Sequence, residues 1–443
     1  MTQAGATAIS APFAQALPAL QPVPSDERKR VAVIGAGVVG LSSALWLQRA
    51  GHQVTLCDPH PPLPGVPYET ASSFGNACTM AYGACLPVAM PGIASQVPVM
   101  LLDRTGPLSI FWRDLPRLAP WLLAFLRASR PSEVRRIVGT LGRLLRLAEA
   151  GHAPLIAQAK AESLMRHNGC LYLFESQRSF EAARPGIAMR AEQQVAMDIL
   201  DTDAIRALEP RLAPLYARGV MFRDAYSLDN PHLYLQSLAR AFEQAGGHFA
   251  RAQIAGMVDR DGTLALVGSV ADLPLSDRVV VAAGAWSKRV SSSLNDRVRL
   301  DAERGYHVLF PESGQLLNRP TCYPASGFYM TPLSEGLRAA GTVELGGLGQ
   351  APRPVRTRVI EERARRYLPE LGPAGRRWLG YRPSMPDSLP VIGKSPSDPR
   401  VVYAFGHGHI GLTLGGITGR LVAEIVSGYT PSLDLAPFRP DRF

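Results

Sequence analysis

The chain has 443 residues, of which 46% are hydrophobic and 19% are charged, and its formal net charge is +10. It is too long for one ordinary domain, and its composition is that of a globular protein with a large core. The basic balance suits anionic partners, but no long Lys/Arg run and no nucleic-acid-binding signature is present, so we expect no nucleic-acid partner. The scattered cysteines form no CxxC pair, which argues against a metal site and fits a reducing, cytoplasmic compartment.

A nucleotide-binding fingerprint follows residues 1–28, which lack the features of a signal peptide and which we expect to form a disordered tail. Residues 30–34 are typical of a buried parallel strand, and a helical pattern runs from 41 to 50. The turn between them has glycines for the tight bend, for the approach of a pyrophosphate and for helix–strand packing. A second strand, 54–57, ends on an acid that can bind the ribose hydroxyls of adenosine. The dinucleotide contacts predicted here are Gly35, Ala36, Gly37, Val38, Val39, Gly40, Asp58 and Pro59.

The most apolar stretch runs from Pro98 to Leu126. Charged residues and prolines interrupt it, and a bilayer-spanning helix needs roughly 20 consecutive apolar residues, so this stretch does not cross a membrane. Apolar side chains mixed with arginines suit an interface, and they predict a peripheral contact with the inner face of the cell membrane. The alternative is that the same side chains pack inside the protein. The residues in question are Trp112, Trp121, Leu122, Leu123, Phe125 and Leu126.

The middle of the chain alternates between helical and strand patterns. Residues 134–161 carry apolar side chains at helical spacing and predict helix. Short apolar or aromatic segments bounded by turns, at 170–174, 306–310, 327–330 and 338–344, predict strands of an antiparallel sheet.

Two later segments favour FAD over NAD as the dinucleotide. Residues 278–287 form another buried strand, and its end, Ala282-Ala283-Gly284, resembles the strand that closes the nucleotide domain in FAD enzymes of the glutathione-reductase type. Residues 401–425 read as a strand, a glycine-dense turn and a long helix, whose N-terminus would stabilise an anionic reduced flavin. The flavin contacts predicted from these segments are Ala283, Gly284, Trp286, Gly408, His409, Gly411, Leu412 and Thr413.

Further motifs lie between these elements: Ser72-Ser73-Phe74-Gly75-Asn76-Ala77, the Asp229-Asn230-Pro231 segment, and Gly380-Tyr381-Arg382-Pro383 followed by Pro386-Asp387 and Pro390-Val391-Ile392-Gly393. Taken with the fingerprint, they make the chain resemble the D-amino-acid oxidase/glycine oxidase superfamily, closest to bacterial D-amino-acid and D-hydroxyproline dehydrogenases. The resemblance implies FAD contacts at Ser72, Ser73, Asn76, Ala77 and Arg382 and at the backbone of Ile254. One departure is Cys78, which stands where the family usually has glycine.

The expected fold is α/β, with a Rossmann-like FAD-binding domain of the glutathione-reductase type and a second α+β substrate domain built on an antiparallel sheet. The FAD domain is expected to be discontinuous, because its strands are predicted near residues 31, 54, 254, 279 and 401. We assign residues 29–95, 200–295 and 378–443 to it, and residues 96–199 and 296–377 to the substrate domain.

The reaction implied by the resemblance transfers a hydride from Cα of an amino acid to flavin N5, and the imino acid then hydrolyses to a 2-oxo acid and ammonia. A bound carboxylate calls for arginine, whose planar fork matches both oxygens. The resemblance assigns this role to Arg382. Tyr306 and Tyr329 are candidates to donate to the carboxylate or cover the flavin, with ordinary packing as the alternative. His307 and His407 are expected to contact substrate or flavin.

The leading functional hypothesis is oxidative deamination of a D-amino acid, including cyclic ones such as D-proline or D-hydroxyproline. Two alternatives stay open at this point. One is an oxidase of glycine, sarcosine or another secondary amine on the same fold, and the other is a non-catalytic FAD-binding subunit of a larger complex. The electron acceptor, either a respiratory chain or dioxygen, also stays open.

Overall fold

The computed structural model of the protein describes residues 13–93, 108–111 and 114–443. Residues 13–28, which we assigned to a disordered tail, lie against the folded body. Phe13 and Val23 are buried, and the backbone N–H groups of Gln15 and Val23 donate to the carbonyls of Arg146 and Ala50. The expectation of disorder is therefore wrong for residues 13–28, because the side chains of Phe13 and Val23 pack in the core.

The helices are α1 (Val38–Arg49), α2 (Leu115–Ala128), α3 (Pro131–Arg146), α4 (Ala148–Gln158), α5 (Gln177–Glu192), α6 (Thr202–Leu208), α7 (Pro231–Gln244), α8 (Ser287–Ser292), α9 (Pro354–Tyr367) and α10 (Gly411–Ser427). The strands are β1 (Arg30–Ile34), β2 (Gln53–Cys57), β3 (Thr79–Met80), β4 (Leu108–Ile110), β5 (Met165–Arg166), β6 (Cys170–Phe174), β7 (Met197–Leu200), β8 (Arg218–Phe222), β9 (Tyr226–Leu228), β10 (His248–Ala250), β11 (Ile254–Arg260), β12 (Thr263–Gly268), β13 (Arg278–Val281), β14 (Asp301–Phe310), β15 (Thr321–Tyr323), β16 (Phe328–Leu333), β17 (Gly336–Leu345), β18 (Arg377–Ser384), β19 (Val391–Lys394) and β20 (Val401–Phe405).

A largely parallel sheet carries the nucleotide fingerprint. Within the described residues its order is β10-β2-β1-β13-β20-β19, with β19 alone antiparallel to its neighbour. Helices α1 and α10 pack against each other beside it through glycines. A Cβ built on Gly419 would lie 2.5 Å from the backbone of Ser42, so only glycine permits this approach. The predicted strand–turn–helix units at both ends of the chain are confirmed.

One strand of the predicted nucleotide domain lies elsewhere. Strand β11 begins at Ile254 but pairs antiparallel with β12 in a separate two-stranded sheet, and β10 takes the place beside β2. The residues between β11 and β12, Asp261 and Gly262, both have positive φ (52° and 81°), which suits a tight hairpin turn. The strand predicted near Ile254 is confirmed, but this turn pairs it locally with β12 rather than with the parallel sheet.

A larger, mainly antiparallel sheet forms the second layer. Among the described residues its order is β18-β14-β17-β16-β15-β6-β8-β7, with β4 pairing beside β17. Only the β15–β6 and β4–β17 pairs in it are parallel. The fold class predicted from the sequence is confirmed. Two of the segments that we assigned to the FAD domain, 200–295 and 378–443, contain β8 and most of β18 of this larger sheet. The domain boundaries proposed from the sequence therefore do not coincide with the division between the two sheets, and they stay a prediction.

The register of the larger sheet sets which side chains share a face. Directly paired residues form one row across six strands: Trp378, His307, Ala340, Tyr329, Cys322 and Tyr172. The opposite face, with Val308, Ala339 and Met330, packs into a core cluster that includes Ile360 of helix α9. The row therefore belongs to the face that looks towards the parallel sheet.

Helix α2 bears on the predicted membrane contact. Trp121 is buried and its Nε1 donates to the carbonyl of Ser384, and Phe125 stacks on it with ring centroids 5.2 Å apart. Leu122 packs beside them, so these three side chains follow the alternative of packing inside the protein. Leu123 and Leu126 are exposed, while Trp112 lies outside the described residues. In the part of the chain that the structure describes, no helix has the length and apolarity needed to span a bilayer.

Candidate active site

A cavity of about 730 Å³ lies between the two sheets. Its walls include the carboxyl ends of β1, β2, β13 and β20 and one face of β14, β16, β17 and β18. Ligands of open α/β sheets bind at the carboxyl ends of the parallel strands, and this volume lies in the range of small-molecule and cofactor sites. Of the residues predicted to bind the cofactor, the following line the cavity: Gly35, Gly37, Val38, Val39, Asp58, Pro59, Ser72, Ser73, Asn76, Ala77, Ile254, Ala283, Gly284, Trp286, Arg382, Gly408, His409, Gly411 and Leu412.

The glycines of the fingerprint have different surroundings. A Cβ on Gly40 would lie 1.8 Å from the carbonyl oxygen of Gly35, so Gly40 serves the packing of helix on strand behind the cavity wall. A Cβ on Gly37 would meet only Ser73 Oγ, at 3.5 Å, and would otherwise enter the cavity. Helix α1 begins just after Gly37 with no acidic residue in its first turn. A helix N-terminus with this open approach fits a pyrophosphate.

Asp58 ties the end of β2 to the glycine turn. Its Oδ2 accepts from the N–H of Ala36 at 2.7 Å, and its Oδ1 accepts from the N–H of His60 at 2.8 Å. Burial raises the pKa of Asp58, and the two backbone donors act against that rise. Ala36 itself lies behind the wall, where its carbonyl accepts from Tyr68 Oη at 2.9 Å. Asp58 thus borders the cavity with a fixed carboxylate, as a ribose-binding acid would.

The segment 72–78 is held by side chains of the larger sheet. Arg338 Nη1 donates to the carbonyls of Phe74 and Asn76 at 3.1 and 3.0 Å, and Thr331 Oγ1 donates to the carbonyl of Ala77 at 2.8 Å. Sequence reasoning missed both side chains, because they lie more than 250 positions from their partners. The segment predicted to run along the flavin therefore depends on the opposite sheet for its conformation.

His307 takes part in the same attachment and does not line the cavity. Its Nδ1 lies 3.0 Å from the carbonyl oxygen of Gly75, and its ring stacks on Trp378. A carbonyl only accepts, so Nδ1 carries the proton in this contact. Burial, and then the charge of Arg338, hold the pKa of His307 well below its usual value. The structure thus places His307 behind the flavin segment rather than in contact with a ligand.

Cys78 departs from the family pattern at the end of this segment. Its φ is +58°, a backbone conformation in which glycine is ordinarily favoured. Its N–H donates to Asn76 Oδ1 at 2.7 Å, and Arg338 Nη1 lies 3.3 Å from its sulfur. Burial raises the pKa of the thiol to about 11. These contacts hold Cys78 in the left-handed conformation, and burial, which outweighs the charge of Arg338, keeps the thiol protonated at neutral pH.

The turn before α10 brings two histidines to the cavity. His407 is buried, its Nε2 lies 2.9 Å from Thr418 Oγ1, and burial lowers its pKa to about 3. His409 is more exposed, and its Nε2 lies 3.0 Å from Oε2 of Glu303. Thr413, predicted as a flavin contact, does not line the cavity: its Oγ1 accepts from the N–H of Ala81 at 3.0 Å.

Arg382 projects from β18 into the cavity wall. Its guanidinium lies over Gly305, where a Cβ would come within 2.3 Å of Cζ. Arg382 Nη1 donates to the carbonyl of Thr342 at 3.2 Å. Burial lowers the pKa of Arg382, and the charge of Glu303 acts in the opposite direction. No carboxylate of the described residues lies within the 4.0 Å ion-pair distance of this guanidinium, so its fork is available to a ligand.

The two predicted tyrosines have different surroundings. Tyr329 lines the cavity and its hydroxyl forms a short hydrogen bond with that of Tyr172. Tyr306 borders the cavity, but its hydroxyl donates to Glu344 Oε2 at 2.8 Å and accepts from the N–H of Arg353 at 3.2 Å. The idea that Tyr306 donates to a substrate carboxylate is therefore wrong for this structure. Strand β14 pairs with β18 without a break, so the ordinary alternation of a strand places the Tyr306 side chain on the face opposite to that of Glu303 and His307.

Comparison with known proteins agrees with this geometry. Residues 30–425 match the family described as FAD dependent oxidoreductase (DAO). The chain belongs to this family. It is 39% identical to a D-amino-acid oxidase of Bradyrhizobium diazoefficiens over 427 residues, which cover 94% of this chain and 99% of that protein. It is 30% identical to a D-amino acid dehydrogenase of Methylobacterium nodulans over 416 residues, covering 91% and 96% of the two chains.

Solved structures show the same fold. The crystal structure of glycine oxidase from Geobacillus kaustophilus superposes with a TM-score of 0.69 at 20% identity, covering 94% of this chain and 99% of that one. The family match, which covers residues 30–425, makes FAD the cofactor of this chain. The open approach at Gly37 and the fixed carboxylate of Asp58 fit the pyrophosphate and ribose of that group, and which individual residues contact it stays a prediction.

Sequence reasoning missed two charged side chains of the cavity. Glu303 is 4% exposed and lines the cavity beside Arg382. Arg190 of α5 lines another part of it, where its Nε donates to the carbonyl of Gly83 at 3.1 Å and its guanidinium lies over the rings of Tyr172 and Phe222. No role was predicted for the carboxylate of Glu303. Nothing in the local sequence around Arg190 marks it.

Proposed function

We propose that this FAD-dependent oxidoreductase deaminates a D-amino acid oxidatively, by removing hydride from Cα. Bound FAD supplies the hydride acceptor. The product is an imino acid, which water hydrolyses to a 2-oxo acid and ammonia. The observation that carries the proposal is Arg382, whose guanidinium lies in the wall of the cofactor cavity and pairs with no carboxylate of the described residues.

Arg382 supports the proposal because its position is fixed while its fork is open. The carbonyl of Thr342 holds Nη1, and Gly305 leaves the space that the guanidinium occupies. A carboxylate that bridges the open nitrogens gains two charge-assisted hydrogen bonds with defined directions. Holding the carboxylate in this way limits where Cα lies, and such positioning is the main protein contribution when a cofactor carries the chemistry.

The names of the relatives support an amino-acid substrate of D configuration. The two proteins at 39% and 30% identity are a D-amino-acid oxidase and a D-amino acid dehydrogenase. The choice of a cyclic substrate, such as D-proline or D-hydroxyproline, rests on the sequence resemblance alone and is the finer part of the proposal. The names oxidase and dehydrogenase imply different electron acceptors. We therefore assign neither dioxygen nor a respiratory chain as the electron acceptor of this protein.

The proposal is tested by anaerobic mixing of the FAD-loaded protein with single amino acids while the flavin absorbance is followed. The panel contains D-amino acids with their L-enantiomers, D-proline, D-hydroxyproline, glycine and sarcosine. Bleaching by D-amino acids and not by their enantiomers is the expected result. Bleaching by glycine or sarcosine alone would point to the amine oxidase instead, and bleaching by none would reject the proposal. Peroxide formation in air, compared with dye reduction, then identifies the class of acceptor.

A further inference from the structure

A buried carboxylate stands beside Arg382 without an assigned role. Glu303 on β14 is the register partner of Arg382 on β18, and both line the cavity. Directly opposed residues of antiparallel strands have Cβ atoms about 4.5–5.5 Å apart and share a face. Glu303 is 4% exposed. The cavity wall therefore presents a cation and an anion side by side.

These two opposite charges do not pair with each other. The Arg382 guanidinium lies over Gly305 and bonds to the carbonyl of Thr342, and no contact within 4.0 Å joins it to Glu303. Glu303 Oε2 instead meets His409 Nε2 at 3.0 Å. Buried charges ordinarily pair or find a ligand, because an uncompensated charge in a low-dielectric site is costly. A gap between a fixed cation and a fixed anion suits a ligand that carries both charges.

His409 accounts for the position and charge of Glu303. Its side chain is 40% exposed, and it reaches Glu303 from the turn that precedes α10. Burial alone would raise the pKa of Glu303. The hydrogen bond and charge of His409, followed by the charge of Arg382, outweigh burial, so the pKa lies below its usual value. The Ser384 hydroxyl also lowers this pKa by hydrogen bonding, so Glu303 is a carboxylate at neutral pH, with His409 at its Oε2.

We propose that Glu303 binds the α-amino group of the substrate while Arg382 binds its carboxylate. The inference rests on the proposed function, since it takes an amino acid as the ligand. An amino acid carries its two charged groups on one carbon, and the wall offers their complements on adjacent strands. A carboxylate accepts from an N–H of either the ammonium or the neutral amine. Glu303 thereby selects amino acids over other carboxylic acids of the same shape.

The test compares two ligands that differ only in the amino group. One is the D-amino acid that bleaches the flavin fastest, and the other is its deamino acid, for example propionate beside D-alanine. The dissociation constant of the first comes from the anaerobic bleaching rate, and that of the second from its perturbation of the oxidised flavin spectrum. Glu303→Gln should weaken amino-acid binding at least tenfold. The same change should leave the deamino acid bound equally or up to severalfold more tightly, because it removes a negative charge near the ligand carboxylate.

The variants and ligands separate the possible outcomes. Arg382→Gln should weaken both ligands, and Glu243→Gln, at an exposed position of α7, should weaken neither. If Glu303→Gln weakens both ligands alike, Glu303 acts only by holding the His409 turn, and the inference is overturned. An unchanged amino-acid constant in Glu303→Gln overturns it as well. If no amino acid bleaches the parent protein, the proposed function fails, and this outcome is visible before any variant is made.

Discussion

Arg382 and Arg377 project from the same strand but differ in what surrounds them. Arg382 lines the cavity, whereas Arg377 is half exposed and pairs with Glu361. Charge-assisted hydrogen bonds contribute about 1.5–3 kcal/mol each, and about 1.4 kcal/mol corresponds to a factor of ten. Arg382→Ala should therefore lower kcat/KM for an amino acid at least tenfold. Arg382→Lys should recover only part of the loss, because the ammonium lacks the bidentate fork.

The control for this prediction is Arg377→Ala, which removes an arginine from the same strand without touching the cavity and should leave kcat/KM unchanged. FAD content should be the same in all variants. Among the described residues, Arg382 donates a hydrogen bond to the carbonyl of Thr342, which is not one of the residues predicted to bind FAD. An amine substrate without a carboxylate should be nearly indifferent to the Arg382 changes. Normal turnover by Arg382→Ala with full FAD content would place the carboxylate site elsewhere.

Gly37 and Gly40 separate cofactor binding from folding. The φ of Gly37 is −69°, which any residue adopts, and a Cβ there meets no atom closer than Ser73 Oγ at 3.5 Å. Gly37→Val should therefore fold normally and lose FAD, because its side chain takes the space of the pyrophosphate. Gly40→Ala should lower the melting temperature instead, since its Cβ would lie 1.8 Å from the oxygen of Gly35. The measurements are flavin absorbance per protein and thermal unfolding of the FAD-free proteins. Full flavin occupancy in Gly37→Val would contradict the assignment.

At the scale of elements, the flavin segment is anchored by β16 and β17 of the opposite sheet. Thr331 Oγ1 donates to the carbonyl of Ala77, and Arg338 binds the carbonyls of Phe74 and Asn76. Thr331→Val keeps the shape of the side chain and leaves the Ala77 carbonyl without its donor, at a cost of about 1–3 kcal/mol. FAD should then bind several times more weakly, as measured by its dissociation constant. Thr331→Ser restores the hydroxyl and should restore most of the affinity. Equal FAD affinity in the valine and serine variants would show that the segment holds its conformation by other means.

The sequence predicts the elements whose signals are local. The strand–glycine–helix units around Gly37 and Gly408 were found because turn, helix and strand residues are neighbours in the chain. The roles of Tyr306 and His307 could not be found in this way. They depend on which face of the sheet a side chain takes, and this follows from the alternation along β14 and from its pairing with Trp378 of β18 and Ala340 of β17. Thr331 and Arg338 carry no signal in their own segments, because their partners come from the far end of the sequence.

At the scale of the whole molecule, the cofactor site is shared by the two sheets. The parallel sheet supplies Gly37 and Asp58, while the larger sheet supplies Arg382 and holds residues 72–78. A ligand that binds only the native state stabilises it by mass action. FAD should accordingly raise the melting temperature of the protein as a single transition. Two separate transitions, of which FAD shifts only one, would show that the sheets unfold independently. Differential scanning calorimetry with and without excess FAD distinguishes these outcomes.

The stability of the whole molecule should fall as the pH decreases below about 6.5, the ordinary pKa of histidine. Burial lowers the pKa of His152 to about 4 and that of His407 to about 3. Between these values and 6.5 the unfolded chain binds protons that the folded chain does not, so the free energy of unfolding decreases as pH falls. Each histidine contributes a slope of up to about 1.4 kcal/mol per pH unit.

His152 allows the origin of this slope to be tested, because it lies in α4 against the first turns of α10, where the N–H of Gly416 donates to its Nε2 at 3.1 Å. His152→Gln keeps an acceptor and removes the proton-binding group. Poorer packing of the glutamine should make the variant less stable than the parent at pH 7.5. Its free energy of unfolding should nevertheless decrease less steeply than that of the parent between pH 6.5 and 4.5. Chemical denaturation at several pH values measures the slope, and His248→Gln, at an exposed position, is the control. Parallel stability profiles for the parent and His152→Gln would show that His152 is not held neutral, because a histidine that binds its proton equally in both states contributes no slope.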